Sequence, residues 1–124
     1  MHKTVLIVED NEFLRHALCE LFRRQEDFDV CGVAQNGREA IEAAGRLQPD
    51  LIVLDLLMPE MNGLDAARAL KRGLPAVPLI LYSAIDDSLS EEVRLIGISE
   101  VVSKSDPPSL LLKKARELVY RTAA

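Results

Sequence analysis

The fold is decided by the stretch LIVLD at residues 51–55, in which four apolar residues lead without a break into an aspartate. A continuous apolar run of this length indicates a strand that is covered on both faces, as in a parallel sheet. Three further runs have the same form: VLIV at 5–8, LILY at 79–82 and VV at 101–102. Because polar residues of different kinds follow the runs, the pattern predicts neighbouring strands with candidate functional residues at their carboxyl ends.

The segments between these runs change to helical periodicity. Asn11 and Asn36 each precede an apolar stripe, and Glu39 follows Asn36 by three residues, which is typical of a helix start. Gly97 is placed to end a fourth helix, and residues 107–108, both proline, to begin a fifth. The first helix is predicted to present one apolar stripe, formed by Phe13, Leu14, Ala17, Leu18, Leu21 and Phe22.

A second strand predicted at residues 28–34 completes a β-α order that repeats five times. This alternation predicts the α/β class, with a parallel sheet, right-handed crossovers and helices on both faces. The expected fold is a single doubly wound, flavodoxin-like domain over residues 1–124, with strand order 2-1-3-4-5.

Composition and charge argue against several functional classes. A net charge of −5 disfavours direct binding to nucleic acid, which depends on neutralising phosphates with Lys and Arg. No apolar stretch approaches the roughly 20 residues that cross a bilayer, and no leader segment precedes the first strand. The chain contains neither G-x-G-x-x-G nor a P-loop, so nucleotide binding has no support in the sequence. We therefore expect a cytoplasmic protein with no membrane partner.

Polar residues at the strand ends are predicted to meet at one edge of the sheet. Residues Glu9-Asp10 follow the first run, Asp55 the third and Ser83 the fourth, while Lys104 lies just beyond the last. The carboxyl ends of parallel strands share an edge, where such sheets bind ligands. Three close carboxylates repel one another unless a cation lies among them, and oxygen ligands favour Mg²⁺ or Mn²⁺. Asp10, Asp55 and a backbone carbonyl therefore form a candidate metal site.

Asp55 is the predicted nucleophile, because a carboxylate oxygen can accept a phosphoryl group to give an acyl phosphate. Catalysis of such a transfer is mostly positioning and charge neutralisation. The metal can neutralise one phosphoryl oxygen, Lys104 a second, and Ser83 with backbone N–H groups the third. Taken singly, each residue also has an ordinary structural role, such as a helix start, a turn or a solvated amine. The joint pattern is what favours phosphoryl transfer.

The stretch DLLMPEMNG at residues 55–63 matches D-x-x-M-P-x-M-x-G, the pattern around the phosphoacceptor of response regulator receiver domains. Residues Glu9-Asp10 match the acidic pair of that family, Ser83-Ala84 its hydroxyl and small residue, and Lys104 its lysine. Over essentially its whole length, the chain resembles this phosphoacceptor domain of two-component signalling.

The resemblance implies a set of roles and partners. Asp55 would accept phosphate from a phosphohistidine on a sensor histidine kinase or a histidine phosphotransfer domain, and the phosphorylated domain would signal by binding an unknown downstream protein. Asp10, Asp55 and the Leu57 carbonyl would bind Mg²⁺ directly, while Glu9 would act through water. The protein would be a signalling domain and not an enzyme in the ordinary sense.

Two departures from the family pattern concern the strand end near Lys104. Val101 stands where the family usually has a Tyr or Phe that swings inward, and a β-branched side chain cannot sweep out a comparable volume. We therefore expect the surface from Leu89 to Val119 to change less on phosphorylation, or by backbone shift alone. Ser105 stands where the family commonly has a proline after the lysine, and the peptide bond to that proline is often cis. Since a cis non-prolyl bond costs roughly 2.5–4 kcal/mol, a trans Lys104–Ser105 peptide is predicted.

Leu57 and Ile85 occupy positions that, in the family, modulate how fast water attacks the acyl phosphate, and Ala84 is a third modulating position. Leu57 and Ile85 are apolar, so they cannot orient a water and could shield the phosphorus. The resemblance therefore predicts a long-lived phosphoaspartate with slow autodephosphorylation.

Several interpretations remain open at this point. The receiver is either a complete single-domain regulator, which the lack of an output domain before Ala124 favours, or the regulatory half of a longer protein. A phosphohydrolase of the haloacid dehalogenase type also uses a strand-end aspartate, but it needs a second aspartate where this chain has Leu57. A degenerate receiver acting as a phosphorylation-independent interaction module is the remaining alternative. Joint retention of four residues weighs against it: Asp10, Asp55, Ser83 and Lys104.

Overall fold

The structure is a computed structural model, described here for residues 2–55, 63–83 and 90–120. Strands and helices alternate along the chain. The strands are β1 (Lys3–Val8), β2 (Phe28–Ala34), β3 (Leu51–Leu54), β4 (Leu79–Ser83) and β5 (Glu100–Ser103). The helices are α1 (Glu12–Arg23), α2 (Gly37–Leu47), α3 (Gly63–Gly73), α4 (Ser90–Ile96) and α5 (Pro108–Val119). None of these helices has the length and apolarity that a bilayer crossing demands, as far as the described residues go.

The five strands form one parallel sheet of order β2-β1-β3-β4-β5, which confirms the predicted flavodoxin-like α/β fold. Val5 of β1 pairs with Leu51 of β3, and Ser83 of β4 pairs with Ser103 of β5. Since β2 lies on one side of β1 and β3 on the other, the winding reverses at β1. A crevice therefore forms between the carboxyl ends of β1 and β3, where doubly wound sheets place their ligands.

Strand side chains alternate between two apolar cores, one on each face of the sheet. Leu6, Ile52 and Leu81 belong to the core that contains α2, α3 and α4 residues. Neighbouring strand positions turn to the opposite core, which contains α1 and α5 residues. The same alternation places Tyr82 in the α1 and α5 core, whereas Val101 packs against the other. Both residues lie close to the end of the sheet, but on opposite faces.

Local hydrogen bonds fix the helix ends that the sequence predicts. The Asn11 side-chain oxygen accepts from the Leu14 N–H at 2.9 Å, and that of Asn36 accepts from the Glu39 N–H at 2.9 Å. Each asparagine thus satisfies an N–H group that has no partner within the first turn. Gly97 follows α4 with φ of +93°, a left-handed conformation that favours glycine and ends the helix.

Helix α1 buries only part of its predicted apolar stripe against the sheet. Leu18, Cys19 and Phe22 are buried, whereas Phe13 is 86% exposed and Ala17 is also exposed. At 3.6 residues per turn, Phe13 lies about 140° around the helix from Leu18, too far to reach the same core. Cys19 takes the buried position on the other side of the stripe, and Phe13 and Ala17 lie on its exposed side.

The amino edge of the sheet is closed by contacts between α5 and the turn before β2. Arg116 Nε donates to Asp27 Oδ2 at 2.8 Å, and Nη2 donates to Gln25 Oε1 at 2.7 Å. The Tyr120 hydroxyl donates to the Asp27 carbonyl at 2.6 Å, and its ring packs edge-on against Phe28 with centroids 6.2 Å apart. We call these five residues the α5 clasp. It joins residues 89 positions apart in the sequence.

Candidate functional site

Five of the residues predicted for the site converge at the carboxyl edge of the sheet: Glu9, Asp10, Asp55, Ser83 and Lys104. Three of them continue the backbone ladder beyond their strands. The N–H groups of Glu9 and Asp55 donate to carbonyls of adjoining strands at 3.0 Å, and that of Lys104 donates to the Ser83 carbonyl at 3.1 Å. Sheet pairing therefore holds the backbone of the site before any side chain contributes.

Asp55 lies at the centre of the site and is only 3% exposed. Lys104 Nζ lies 3.2 Å from Asp55 Oδ1, and the Ser83 hydroxyl donates to the same oxygen at 3.3 Å. An ammonium and a hydroxyl thus orient one carboxylate from two different strands. Both groups are also adjacent to any group that would be attached to Asp55.

Glu9 is the most buried acid of the cluster, at 1% exposed. Its Oε2 accepts from the Asn11 N–H at 3.2 Å, and its Oε1 lies 3.3 Å from Lys104 Nζ. Burial raises the pKa of Glu9 from 4.5 to about 7; the negative charge of Asp55 adds to this rise, while the Asn11 N–H and Lys104 oppose it. Glu9 therefore shares one cation with Asp55 in an environment that resists its charge.

Lys104 is the cation that these acids share. Burial lowers the pKa of Lys104, but the charges of Asp55 and Glu9 outweigh that effect and raise it above its ordinary value. The amine is therefore protonated at neutral pH. Its 31% exposed side chain leaves it open to solvent on one side.

The three acids fit a divalent cation with oxygen ligands. Glu9, Asp10 and Asp55 each place a carboxylate oxygen within 4.8 Å of the others. Glu9 Oε1 is buried and, although Lys104 Nζ lies near it, receives no hydrogen bond of good geometry from the residues that the structure describes. The three carboxylates of this cluster carry more formal negative charge than the Lys104 ammonium offsets. Oxygen donors without His or Cys suit Mg²⁺.

Some predicted positions lie outside the described residues. These are Leu57, with its proposed carbonyl ligand, and the modulating residues Ala84 and Ile85. Val101 is half-buried and packs against the core beside α4. The Lys104–Ser105 peptide is trans, as predicted.

Arg15 is a contributor that the sequence interpretation missed, since the periodicity of α1 assigns it to the polar face. Its Nη1 donates to the Glu9 carbonyl at 3.1 Å and lies 3.4 Å from the Asp10 carbonyl, to which it also donates. The available signal was its position: an arginine in the first turn of a helix can reach back to the carbonyls that precede that helix.

Comparison with known proteins places this geometry in a family. The profile of the response regulator receiver domain matches residues 5–116. The chain is 35% identical over 114 residues to the chemotaxis protein CheY of Thermotoga maritima, which covers 91% of this chain and 94% of CheY. It superimposes on the response regulator domain of Thermotoga maritima CheB with a TM-score of 0.91 and 27% identity, covering 99% of this chain and 100% of that domain.

A longer relative shows the same similarity in one part of its sequence. The chain is 41% identical over 115 residues to a protein-glutamate methylesterase/protein-glutamine glutaminase of Pyrococcus abyssi. That alignment covers 92% of this chain but 31% of the relative, so the chain spans about a third of its length. Receiver domains are signalling domains that act with kinases, phosphotransfer proteins and downstream effectors. The family match, the superposition and the acidic cluster agree: this chain belongs to the response regulator receiver domain family of two-component systems.

Proposed function

We propose that Asp55 takes up a phosphoryl group from a phosphohistidine on a sensor histidine kinase or a histidine phosphotransfer domain. The phosphorylated domain then signals by binding a downstream protein. The observation that carries this proposal is the sharing of Asp55 Oδ1 by Lys104 and Ser83 beside the acidic cluster. A structural ion pair would need neither the hydroxyl nor two further acids.

The transfer is a displacement at phosphorus. An Asp55 carboxylate oxygen forms the new bond to phosphorus while the bond between phosphorus and the donor imidazole nitrogen breaks. The electron pair of that bond leaves with the imidazole, which takes up a proton. Lys104 and the Ser83 hydroxyl lie beside the attacking carboxylate and can stabilise the charge on the phosphoryl oxygens.

Mg²⁺ is the proposed cofactor, with Mn²⁺ as a substitute. Asp10, Asp55 and the Leu57 carbonyl would bind it directly, and Glu9 would act through a water. When bound, the ion would supply positive charge to a phosphoryl oxygen. The buried Glu9 Oε1 and the three close carboxylates support this assignment.

Two further expected properties concern positions at which the chain departs from the family pattern. Apolar Leu57 and Ile85 are proposed to give a long-lived phosphoaspartate, so Leu57→Asn should shorten the half-life in a dephosphorylation assay. A half-life of seconds that Leu57→Asn leaves unchanged would contradict this.

Val101 is proposed to transmit the signal without the inward swing of an aromatic side chain. Amide exchange with and without a phosphoryl mimic should then show no large protection changes confined to the surroundings of Val101.

The interaction-module alternative is not favoured, because a protein that only binds partners has no use for a buried carboxylate cluster around one lysine. The cytoplasm, where two-component kinases hold their phosphohistidine, is the proposed location. Helices too short or polar to cross a bilayer, within the described residues, are consistent with it.

The proposal is tested by incubating the chain with a small acyl phosphate and Mg²⁺, followed by intact-mass measurement. Wild type should gain the mass of one phosphoryl group, and Asp55→Asn should gain none. Asp65→Asn is the matched control, because Asp65 is an exposed aspartate on α3; it should react like wild type. If wild type gains no mass while folded, the interaction module becomes the better explanation.

A further inference from the structure

The turn between β1 and α1 carries both acids of the acidic pair and is closed by side-chain hydrogen bonds. Glu9 Oε2 accepts from the Asn11 N–H at 3.2 Å, and Asn11 Oδ1 accepts from the Leu14 N–H at 2.9 Å. Arg15 closes the turn from the other side, through the carbonyls of Glu9 and Asp10 at 3.1 and 3.4 Å. The backbone of the acidic pair is thus held between its strand and its helix.

We propose that Arg15 is a positioning residue for the acidic pair, an inference that rests on the proposed Mg²⁺-dependent function. Asp10 is exposed, so packing does not fix its carboxylate. The carboxylate projects from a backbone whose carbonyl Arg15 holds. Restraining that backbone limits where the carboxylate oxygens can lie, which favours binding of an ion that demands near-ideal geometry.

Arg15 can provide this restraint because it is itself anchored. Its side chain is half-buried, and its N–H donates to the Asn11 carbonyl at 2.8 Å in the first turn of α1. The helix is fixed in turn by the buried side chains of Leu18 and Phe22. The apolar core therefore fixes α1, and the planar guanidinium of Arg15 fixes the two carbonyls relative to that helix. A lysine ammonium on a flexible stem would hold them less well.

A positioning role and a simple charge effect predict opposite changes in metal binding. Arg15 carries a positive charge next to the backbone of the acidic pair. Removing that charge should, by Coulomb's law alone, strengthen the binding of a divalent cation. Removing a group that orients metal ligands should instead weaken binding. The sign of the change separates the two explanations.

The test is calorimetric titration of the full chain with Mg²⁺. Arg15→Gln should bind about tenfold more weakly than wild type, the lower end of what loss of an orienting group costs a metal site. The Mg²⁺ affinity of Arg15→Lys should lie between those of wild type and Arg15→Gln, since lysine keeps the charge and one donor group. Arg23→Gln is the matched control: Arg23 lies in the last turn of α1, 3.6 Å from Glu20, and its loss should change nothing at the metal.

A second readout does not depend on the metal. Amide exchange of the metal-free protein should be several-fold faster at Asn11 in Arg15→Gln, and unchanged in Arg23→Gln. Thermal unfolding of the metal-free variants distinguishes the positioning role from a general structural role. A general structural role would lower the melting temperature of Arg15→Gln and leave its Mg²⁺ affinity unchanged.

The outcomes distinguish this inference from the function on which it rests. If wild type does not bind Mg²⁺, the proposed function fails and the role of Arg15 fails with it. If wild type binds Mg²⁺ and Arg15→Gln binds as tightly or more tightly, the role of Arg15 alone is overturned. Weaker binding together with faster exchange at Asn11 supports it.

Discussion

At the carboxyl edge of the sheet, Lys104 faces two carboxylates that are almost completely buried, whereas at the amino edge Arg116 faces a single, half-exposed Asp27. The α5 clasp pairs its charges one to one and gives the guanidinium hydrogen bonds from both Nε and Nη2. In the site, one buried oxygen of Glu9 receives no good hydrogen bond within the described part of the chain. Burying charge without full compensation costs folding free energy. The clasp is thus built for stability, and the site holds negative charge that a bound cation can neutralise.

The largest expected effect concerns Glu9 in metal-free protein. Its folded pKa of about 7 lies above the ordinary 4.5, so the folded state binds a proton that the unfolded state releases between these values. Its contribution to stability is therefore complete below pH 4.5 and is lost as pH rises through about 7. Linkage puts the loss at about 3 kcal/mol. Urea unfolding in EDTA should show this decline in wild type and not in Glu9→Gln; parallel curves would contradict it.

Lys104→Met should cost about 2 kcal/mol in metal-free protein at pH 8, because it removes a cation that two buried acids share. Lys114→Met is a matched control. Lys114 is equally exposed, at 32% against 31%, and lies 3.8 and 3.9 Å from the acids Glu100 and Glu117, which are themselves solvent-accessible. Its loss should cost well under about 1 kcal/mol. Urea unfolding checks both variants, and equal losses would mean that burial of the acids does not distinguish the two lysines.

At the clasp, Arg116→Gln should cost about 1 kcal/mol, the upper range for an accessible ion pair. The pH dependence should run opposite to that of Glu9. Hydrogen bonds from Arg116 hold the pKa of Asp27 below its ordinary 3.8, so this contribution is present above about pH 4 and is lost on acidification. Urea unfolding between pH 3 and 7 measures it. A difference between variant and wild type that does not shrink at low pH would show that packing of Arg116, not its charge, is what matters.

The smallest effect is expected for Tyr120→Phe, which removes the hydroxyl that donates to the Asp27 carbonyl but keeps the ring against Phe28. Loss of one accessible hydrogen bond should cost about 0.5 kcal/mol. Thermal unfolding against wild type measures it. A loss as large as that of Arg116→Gln would mean that the clasp acts as one cooperative unit and not as separate contacts.

What the sequence predicts well is either local or topological. Asn11 and Gly97 act within a few residues of their own positions, so their roles follow from side-chain and backbone chemistry. Convergence of Asp55, Ser83 and Lys104 follows from the rule that parallel strands share an edge. Neither prediction requires knowledge of how two distant surfaces pack.

What the sequence does not predict depends on long-range packing. The pairing of Arg116 with Asp27 becomes visible only once α5 lies against the turn before β2. The extent to which Phe13 is exposed, 86%, depends on how α1 rotates against the sheet, which an apolar stripe alone does not determine. The different environments of Glu9 and Asp10, one buried and one exposed, likewise arise from the path of the chain after β1.

The two tyrosines give each end of the sheet its own optical reporter. The chain has two Tyr and no Trp. Tyr82 precedes Ser83 of the site; burial raises its pKa, and the charges of Lys104 and Glu9 also act on that pKa. Tyr120 belongs to the clasp. A single Tyr→Phe substitution at either position leaves ultraviolet emission that comes from the opposite end alone. Events at the phosphoacceptor and fraying of the last helix can therefore be followed separately without attaching a dye.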